Sequence, residues 1–81
     1  MNGRPMMPLA LVTPGEEVRL IEIRGGLRMR KRLADLGLNL GMDVRVVQQG
    51  WQGPLIIAVK ESRLALGHQM AHKILVELKS E

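Results

Sequence analysis

Apolar and polar residues alternate along several short segments of the chain, which is the pattern of β-strands that bury one face. The segments that predict strands are residues 17–24, 42–48, 55–59, 63–66 and 74–78. In the first segment the alternation changes phase between Leu20 and Ile21, so we predict a β-bulge or a sharp bend there. Glycine and proline recur between the segments, which favours tight turns.

One segment has helical spacing instead. Met29, Leu33 and Leu36 share one face of residues 27–36, which predicts a short α-helix with charged side chains on its other face. Gly37 follows this segment in the position of a left-handed C-cap.

Two further glycines predict turns. Pro14 and Gly15 suit the two central positions of a type II turn, because proline fixes φ and glycine accepts a positive φ. Gly41 ends the turn that leads into the second long strand. Residues 67–73 predict a single helical turn before the last strand.

Together these elements predict a mainly β fold. We expect a small SH3-like barrel of about five strands, with one short α-helix after the first long strand and a helical turn before the last strand. Residues 8–79 form this domain, and residues 1–7, which contain Pro5 and lack periodicity, form a flexible leader. A chain of 81 residues has room for one small domain.

The composition excludes several kinds of chemistry. Cysteine is absent, which removes disulfides and thiol catalysis. No serine or threonine lies near a histidine in a pattern that suggests a catalytic triad, and no phosphate-binding loop motif is present. We therefore expect no enzymatic activity. No apolar run reaches the roughly 18 residues of a membrane-spanning helix, so we expect a cytoplasmic protein without membrane insertion.

Positive charge is concentrated around the predicted helix. The net charge is +4, and five cations cluster in the sequence: Arg24, Arg28, Arg30, Lys31 and Arg32. This cluster is either a solvated helix face or a contact surface, and a counter-charged partner would relieve the repulsion between Arg28 and Arg32. An acidic protein surface fits better than nucleic acid, because Trp51 is the only aromatic residue and base stacking needs several.

Two histidines have the spacing of metal ligands. His68 and His72 lie four residues apart in the predicted helical turn, which places both imidazoles on one face and would suit Zn²⁺ or Fe²⁺. Two ligands are too few for a closed tetrahedral site. The alternatives are therefore two surface histidines, further ligands within the chain, or a metal-bridged homodimer. Trp51, at the tip of the predicted hairpin loop, either covers the barrel end or anchors a partner.

Several segments taken together resemble the FeoA family. The run from Arg30 to Met42 is similar to the family's R-L-x-x-L-G-L-x-P-G signature. The other similar segments are residues 8–15 with the N-terminal strand and turn, 53–59 and 63–66 with the central hairpin, and 71–76 with the closing strand. The resemblance spans residues 8–78 in one order.

The resemblance implies a non-catalytic accessory protein of bacterial ferrous iron uptake, which requires no cofactor and contacts the cytosolic part of a FeoB-type transporter. We expect the contact surface to comprise the helix cations, the following turn and the hairpin tip, namely Arg28, Lys31, Arg32, Leu38, Asn39, Leu40 and Trp51. Two departures lie in loops. Leu40 stands where the family usually has proline, and Glu61-Ser62 stands where glycine is common, which predicts strain in that hairpin turn.

Two alternative functions stay open. The histidine pair would suit a transition-metal-binding regulatory module or homodimer that uses His68 and His72. The basic charge would suit a nucleic-acid-binding β-barrel, whose affinity should fall steeply with salt.

Overall fold

The computed structural model describes residues 5–50 and 53–79. Within these ranges the chain forms six β-strands, two α-helices and a 3₁₀ turn over Leu9–Leu11. The strands are β1 (Met6–Pro8), β2 (Glu17–Ile23), β3 (Asp43–Gln49), β4 (Leu55–Val59), β5 (Ser62–Leu66) and β6 (Ile74–Leu78). The helices are α1 (Gly26–Asp35) and α2 (His68–His72).

All six strands belong to one antiparallel sheet, in the order β1-β6-β2-β3-β4-β5. Alternate residues of the central strands are buried, among them Val18, Val44 and Ile57. The helices add little cover, because α1 contributes one buried residue, Leu33, and α2 contributes one, Ala71. A single sheet with so little cover buries one face by wrapping around it, which confirms the predicted mainly β, SH3-like fold.

The two long strands are both irregular. β2 changes register against β6 between Leu20 and Glu22, so the irregularity predicted near Leu20 is confirmed. β3 changes register against β4 between Val46 and Gln48. Bulges bend a strand and increase its twist. These two bulges occur on β2 and β3, the longest strands of the sheet in the described residues.

The end of α1 is fixed by a Schellman motif. Gly37 has φ of +94°, and its N–H donates to the carbonyl of Ala34 at 2.9 Å. The N–H of Leu38 donates to the carbonyl of Leu33 at 2.8 Å. Both leucine side chains are buried in the core, which supplies the apolar contact that accompanies this motif. The left-handed C-cap predicted at Gly37 is therefore present, and it fixes the direction in which the chain leaves α1.

The predicted type II turn also forms. Gly15 has φ of +98°, and the N–H of Glu16 donates to the carbonyl of Thr13 at 3.1 Å. The N–H of Gly15 donates to the carbonyl of Val46 at 2.7 Å, so the turn is held against β3.

The N-terminal boundary differs from the prediction. β1 begins at Met6, two residues inside the segment predicted as leader, and it pairs with β6 in the register Met6↔Glu77 and Pro8↔Leu75. β1 adds the sixth strand to the five that the sequence predicts. Its ladder consists of backbone hydrogen bonds, which need no apolar alternation.

The β4–β5 hairpin turn lies one residue earlier than predicted. Val59 pairs with Ser62, so the central residues are Lys60 and Glu61 rather than Glu61 and Ser62. Lys60 has φ of +56°, a conformation that side chains other than glycine adopt at a cost. The strain predicted for this turn therefore falls on Lys60.

No helix in the part of the chain that the structure describes is long and apolar enough to cross a membrane.

Candidate interaction groove

A groove of about 480 Å³ lies between α1 and the turn that follows it. Its lining residues are Ile23, Leu27, Arg30, Lys31, Ala34, Leu38, Asn39 and Leu40. They come from the end of β2, one side of α1, and the connection between α1 and β3. We call this set the helix groove.

Helical geometry decides which side chains of α1 reach the groove. Successive residues turn by about 100°, so Leu27, Arg30, Lys31 and Ala34 lie along one side of the helix. The core side is occupied by Leu33, which is fully buried. The helix groove is therefore formed by residues that the apolar periodicity of α1 leaves facing outwards.

The groove carries exposed leucines. Leu27 is 82% exposed and Leu40 is 45% exposed, although both are large apolar side chains. A single exposed leucine is ordinary, whereas several beside a concave surface are typical of an interaction site.

The wall formed by the turn is held firmly. The N–H of Met42 donates to the carbonyl of Asn39 at 3.2 Å, and Gly41, with φ of +89°, donates its N–H to the carbonyl of Leu20 at 2.8 Å. The side chain of Leu38 is buried beneath the turn. These contacts tie the turn to β2, so the groove is built into the fold.

The cations of α1 divide between two sides of the helix. Arg30 and Lys31 line the helix groove, while Arg28 and Arg32 lie on a neighbouring exposed side with Asp35. None of the four cations forms an ion pair within residues 5–50 and 53–79. Their charge is therefore available to a partner.

The structure places the predicted contact residues in different ways. Lys31, Leu38, Asn39 and Leu40 come together in the helix groove, whereas Arg28 and Arg32 do not line it. Trp51 lies outside the described residues.

The predicted contact set missed four residues of the groove, namely Ile23, Leu27, Arg30 and Ala34. One signal was available for Leu27, because this leucine is out of phase with the apolar face of the predicted helix. One apolar residue on the polar side of a helix is ordinary by itself, so this signal points to a contact surface only together with the exposed Leu40.

The predicted histidine pair lies elsewhere. His68 and His72 line a second depression together with Leu11, Gln49 and Gly50. In the described parts of the chain, no three His, Cys, Asp or Glu side chains are grouped so as to hold a metal ion.

A charge cluster on the sheet surface has the clearest electrostatic effect. Asp43 accepts hydrogen bonds from Lys79 Nζ at 2.8 Å and from Arg19 Nε at 3.0 Å. These bonds, that of Lys79 above all, lower the pKa of the Asp43 carboxyl below its usual 3.8. The same bond to Asp43 raises the pKa of the Lys79 ammonium above 10.5. The cluster ties β2 and the end of β6 to β3. None of its three residues lines the helix groove.

The fold and the groove define a small SH3-like domain with an apolar, cation-lined surface groove. A sequence model described as the FeoA domain matches residues 7–78. The chain belongs to the FeoA family.

Individual relatives agree with this assignment. The chain is 40% identical over 72 residues to a Methanocaldococcus jannaschii protein whose name assigns it, provisionally, as Fe(2+) transport protein A, and the match covers 89% of this chain and 87% of that protein. A crystal structure of an iron uptake regulatory protein (FeoA) superposes with a TM-score of 0.86 at 31% identity, over 93% of this chain and 100% of that one. The family assignment ties the protein to Fe²⁺ transport.

The fold also occurs inside larger proteins. A manganese-dependent transcriptional repressor contains a region that superposes with a TM-score of 0.86 at 21% identity, covering 96% of this chain and 44% of the repressor. At this identity the similarity shows a shared fold.

Proposed function

We propose that this protein is a non-catalytic accessory protein of Fe²⁺ transport that binds the cytosolic part of a FeoB-type transporter through the helix groove. The observation that carries the proposal is the exposure of Leu27 and Leu40 beside Arg30 and Lys31 in one groove. Family membership supplies the link to iron transport. Contact with a cytosolic transporter domain would place the protein in the cytoplasm.

The chemistry of the groove sets requirements for the partner. Burying an exposed leucine stabilises a complex by about 1.5–3 kcal/mol, so an apolar side chain that enters the groove beside Leu27 supplies affinity. Arg30 and Lys31, which form no ion pair with any residue that the structure describes, favour acidic residues at the edge of that contact. The matching surface on the transporter is therefore an amphipathic segment with carboxylates next to an apolar anchor.

The test is direct binding between the purified protein and the cytosolic domain of the transporter, with and without a GTP analogue. The variant Leu27→Asp introduces a charge into the groove at a position so exposed that folding should be unaffected. We expect it to weaken binding about 10-fold to 150-fold, which corresponds to the loss of one buried leucine.

The matched control is Leu11→Asp. Leu11 is also a leucine, is 60% exposed and does not line the helix groove. We expect this variant to bind as the unchanged protein does. Absence of binding by the unchanged protein, or equal loss in both variants, would contradict the proposal.

A further inference from the structure

The antiparallel sheet has two edges in the described residues, formed by β1 and β5. β1 has three residues and ends at Pro8, which has no backbone N–H to donate. β5 has five residues and no proline, and all of them pair with β4 in one register without a bulge. Shortness, proline and bulges are devices that keep an edge from pairing with another chain. β1 has two of these devices, and β5 has none of them.

The free side of β5 presents the backbone groups of Arg63 and Ala65. Val59 and Ser62 flank a two-residue turn and form a hydrogen-bonded pair, and such pairs alternate along an antiparallel ladder with pairs that lack hydrogen bonds. Leu64 therefore bonds to β4, whereas the N–H and C=O groups of Arg63 and Ala65 point away from β4. Both residues are exposed, and no other strand of the described residues pairs with β5. These groups can pair with a further extended segment.

The outer face of the sheet beside this edge is positively charged. It contains a depression of about 500 Å³, and three of the lining residues are cations, namely Arg45, Lys60 and Arg63. Arg45 and Arg63 are both register partners of Ala58, so their side chains flank a small residue on one face of the sheet. None of the three cations forms an ion pair within residues 5–50 and 53–79. Their charge favours a partner with carboxylates.

Two carboxylates also line the depression, on the side away from β5. Asp43 is bonded to both Arg19 and Lys79, so two cations offset its charge. Glu17 belongs to β2, three strands from β5. Glu61 lies in the hairpin turn and does not line the depression. The charge of the depression next to the edge is therefore that of the cations.

Leu64 determines what suits the other face of an added strand. It is half-buried and packs against the core, so part of its side chain stays open at the edge. Side chains of a strand alternate between the two faces of a sheet. A strand added to β5 therefore places every second residue beside Leu64 and the others beside Arg63. The edge suits a segment in which apolar and acidic residues alternate.

We propose that the edge of β5 binds an extended protein segment of alternating acidic and apolar residues, which adds a strand to the sheet. The backbone of the segment pairs with Arg63 and Ala65, and its carboxylates face Arg63 and the depression. A second copy of β5 fits less well, because it brings the same cations to the edge and like charges oppose pairing. This surface shares no lining residue with the helix groove, so the proposal goes beyond the transporter contact.

The test uses a blocked heptapeptide in which three glutamates alternate with two valines between terminal glycines. It is added up to millimolar concentration to the ¹⁵N-labelled 81-residue protein, and amide shifts and hydrogen exchange are followed by NMR. Before addition, the amides of Arg63 and Ala65 should exchange faster than that of Leu64. With the peptide, exchange at Arg63 and Ala65 should slow, and exchange at Leu64 should change little. A matched peptide with lysine in place of glutamate should not bind.

Two variants separate the charge from the backbone contact. Arg63→Glu turns an attractive cross-strand pair into a repulsive one, so peptide binding should weaken about 2-fold to 30-fold. Ala65→Pro removes an outward N–H without breaking a bond to β4, because proline is tolerated on edge strands. It should weaken binding at least about twofold. The control is Lys73→Glu, which makes the same change of charge at an exposed position after α2 and should bind as the unchanged protein does.

Circular dichroism shows whether each variant folds. If Ala65→Pro does not, Arg63→Glu and the amide exchange decide. Four results would overturn the proposal: no slowing of exchange at Arg63 and Ala65 with the acidic peptide, equal binding of the lysine peptide, peptide-induced shifts confined to the helix groove, or a dimer of the free protein whose formation slows the same two amides. Leu27→Asp should bind the peptide normally, since the proposal does not depend on the transporter contact.

Discussion

Reversing pairs of charges on the two exposed sides of α1 would show which side contacts the transporter. The first variant, Arg30→Glu with Lys31→Glu, changes the two cations that line the helix groove. The second variant, Arg28→Glu with Arg32→Glu, makes the same change in net charge on the neighbouring side. Each variant is therefore the control for the other.

Neither variant should lose much stability, since none of the four cations has an ion-pair partner in the described ranges. The first turn of α1 contains no acidic residue, and Arg32 lies in its last turn. Glutamate at position 28 therefore gains about 0.3–1 kcal/mol from the helix dipole, and glutamate at position 32 loses a similar amount. In the first variant, glutamate at position 31 repels Asp35 by about 0.2–0.5 kcal/mol. A net change below about 1 kcal/mol moves the unfolding midpoint by less than about 8 °C.

The effect on binding should differ between the variants. Like charges set against each other in an interface cost several kcal/mol, and about 3 kcal/mol corresponds to a loss of roughly 100-fold in affinity. The groove variant should therefore lose binding and fail to restore iron uptake in a strain that lacks its own copy. The other variant acts through solvent, where salt screens charges beyond about 8 Å at physiological ionic strength, so we expect a change of threefold or less, ~0.7 kcal/mol.

Binding would be measured by calorimetry at 0.15 M salt, and folding by circular dichroism. A folded groove variant with unchanged affinity and full complementation would refute our reasoning about the groove. Loss of binding in the Arg28/Arg32 variant alone would place the contact on the other side of α1. An unfolded variant would show that one of these cations stabilises the fold in a way the exposed positions do not suggest.

Three further changes test local features. Leu40→Pro should raise the urea midpoint by the equivalent of about 0.4–1 kcal/mol, because proline suits the position before Gly41 in its turn; a lower midpoint would contradict this. Lys60→Gly should stabilise the folded protein by about 0.5–1 kcal/mol in thermal unfolding. It removes about 1–2 kcal/mol of left-handed strain, and glycine adds about 0.5–1 kcal/mol of entropy cost on folding. Unchanged stability would exclude strain at Lys60. Hydrogen bonds from Lys79 and Arg19 lower the pKa of Asp43 in the folded protein below 3.8. Asp43→Asn should therefore be less stable than the unchanged protein above pH 3.8, and the difference in stability should shrink as the pH falls further. A difference that does not depend on pH would contradict this.

Features that depend on a few neighbouring residues could be predicted from the sequence. The turn at Gly15 and the C-cap at Gly37 follow from the positive φ that glycine accepts without a steric cost. The bulge near Leu20 is visible as a phase change, because burial fixes which residues of β2 face the core. These are local consequences of backbone sterics and of the core, so a single sequence contains them.

Features that depend on distant pairing could not be predicted in this way. β1 has three residues and ends at Pro8, which is too short to show alternation. In the sheet of the described residues its partner is β6, which lies at the other end of the sequence. The position of the hairpin turn depends on the register between β4 and β5. From the sequence alone, a turn at Lys60 and Glu61 and a turn one residue later are almost equally plausible.

The helix groove was only partly predictable for a related reason. Sequence proximity grouped Arg28, Lys31 and Arg32, whereas the turn of the helix separates Lys31 from the other two. Helical geometry places Leu27, Arg30 and Lys31 on one side of α1, but the groove also needs Ile23 and Leu38 from outside the helix. A groove is formed by packing between elements, and the hydrophobic pattern along the sequence does not predict which elements pack together.

The order of strands in the sheet affects how the protein can be made. β6 lies between β1 and β2, so the strand that leaves the ribosome last of the six joins the two that leave it first. Until residues 74–78 emerge, one edge of β2 is unpaired, and such an edge invites pairing with other chains. The barrel therefore closes only once residues 74–78 have left the ribosome, and a nascent chain stalled before Ile74 would be prone to aggregate unless a chaperone holds it.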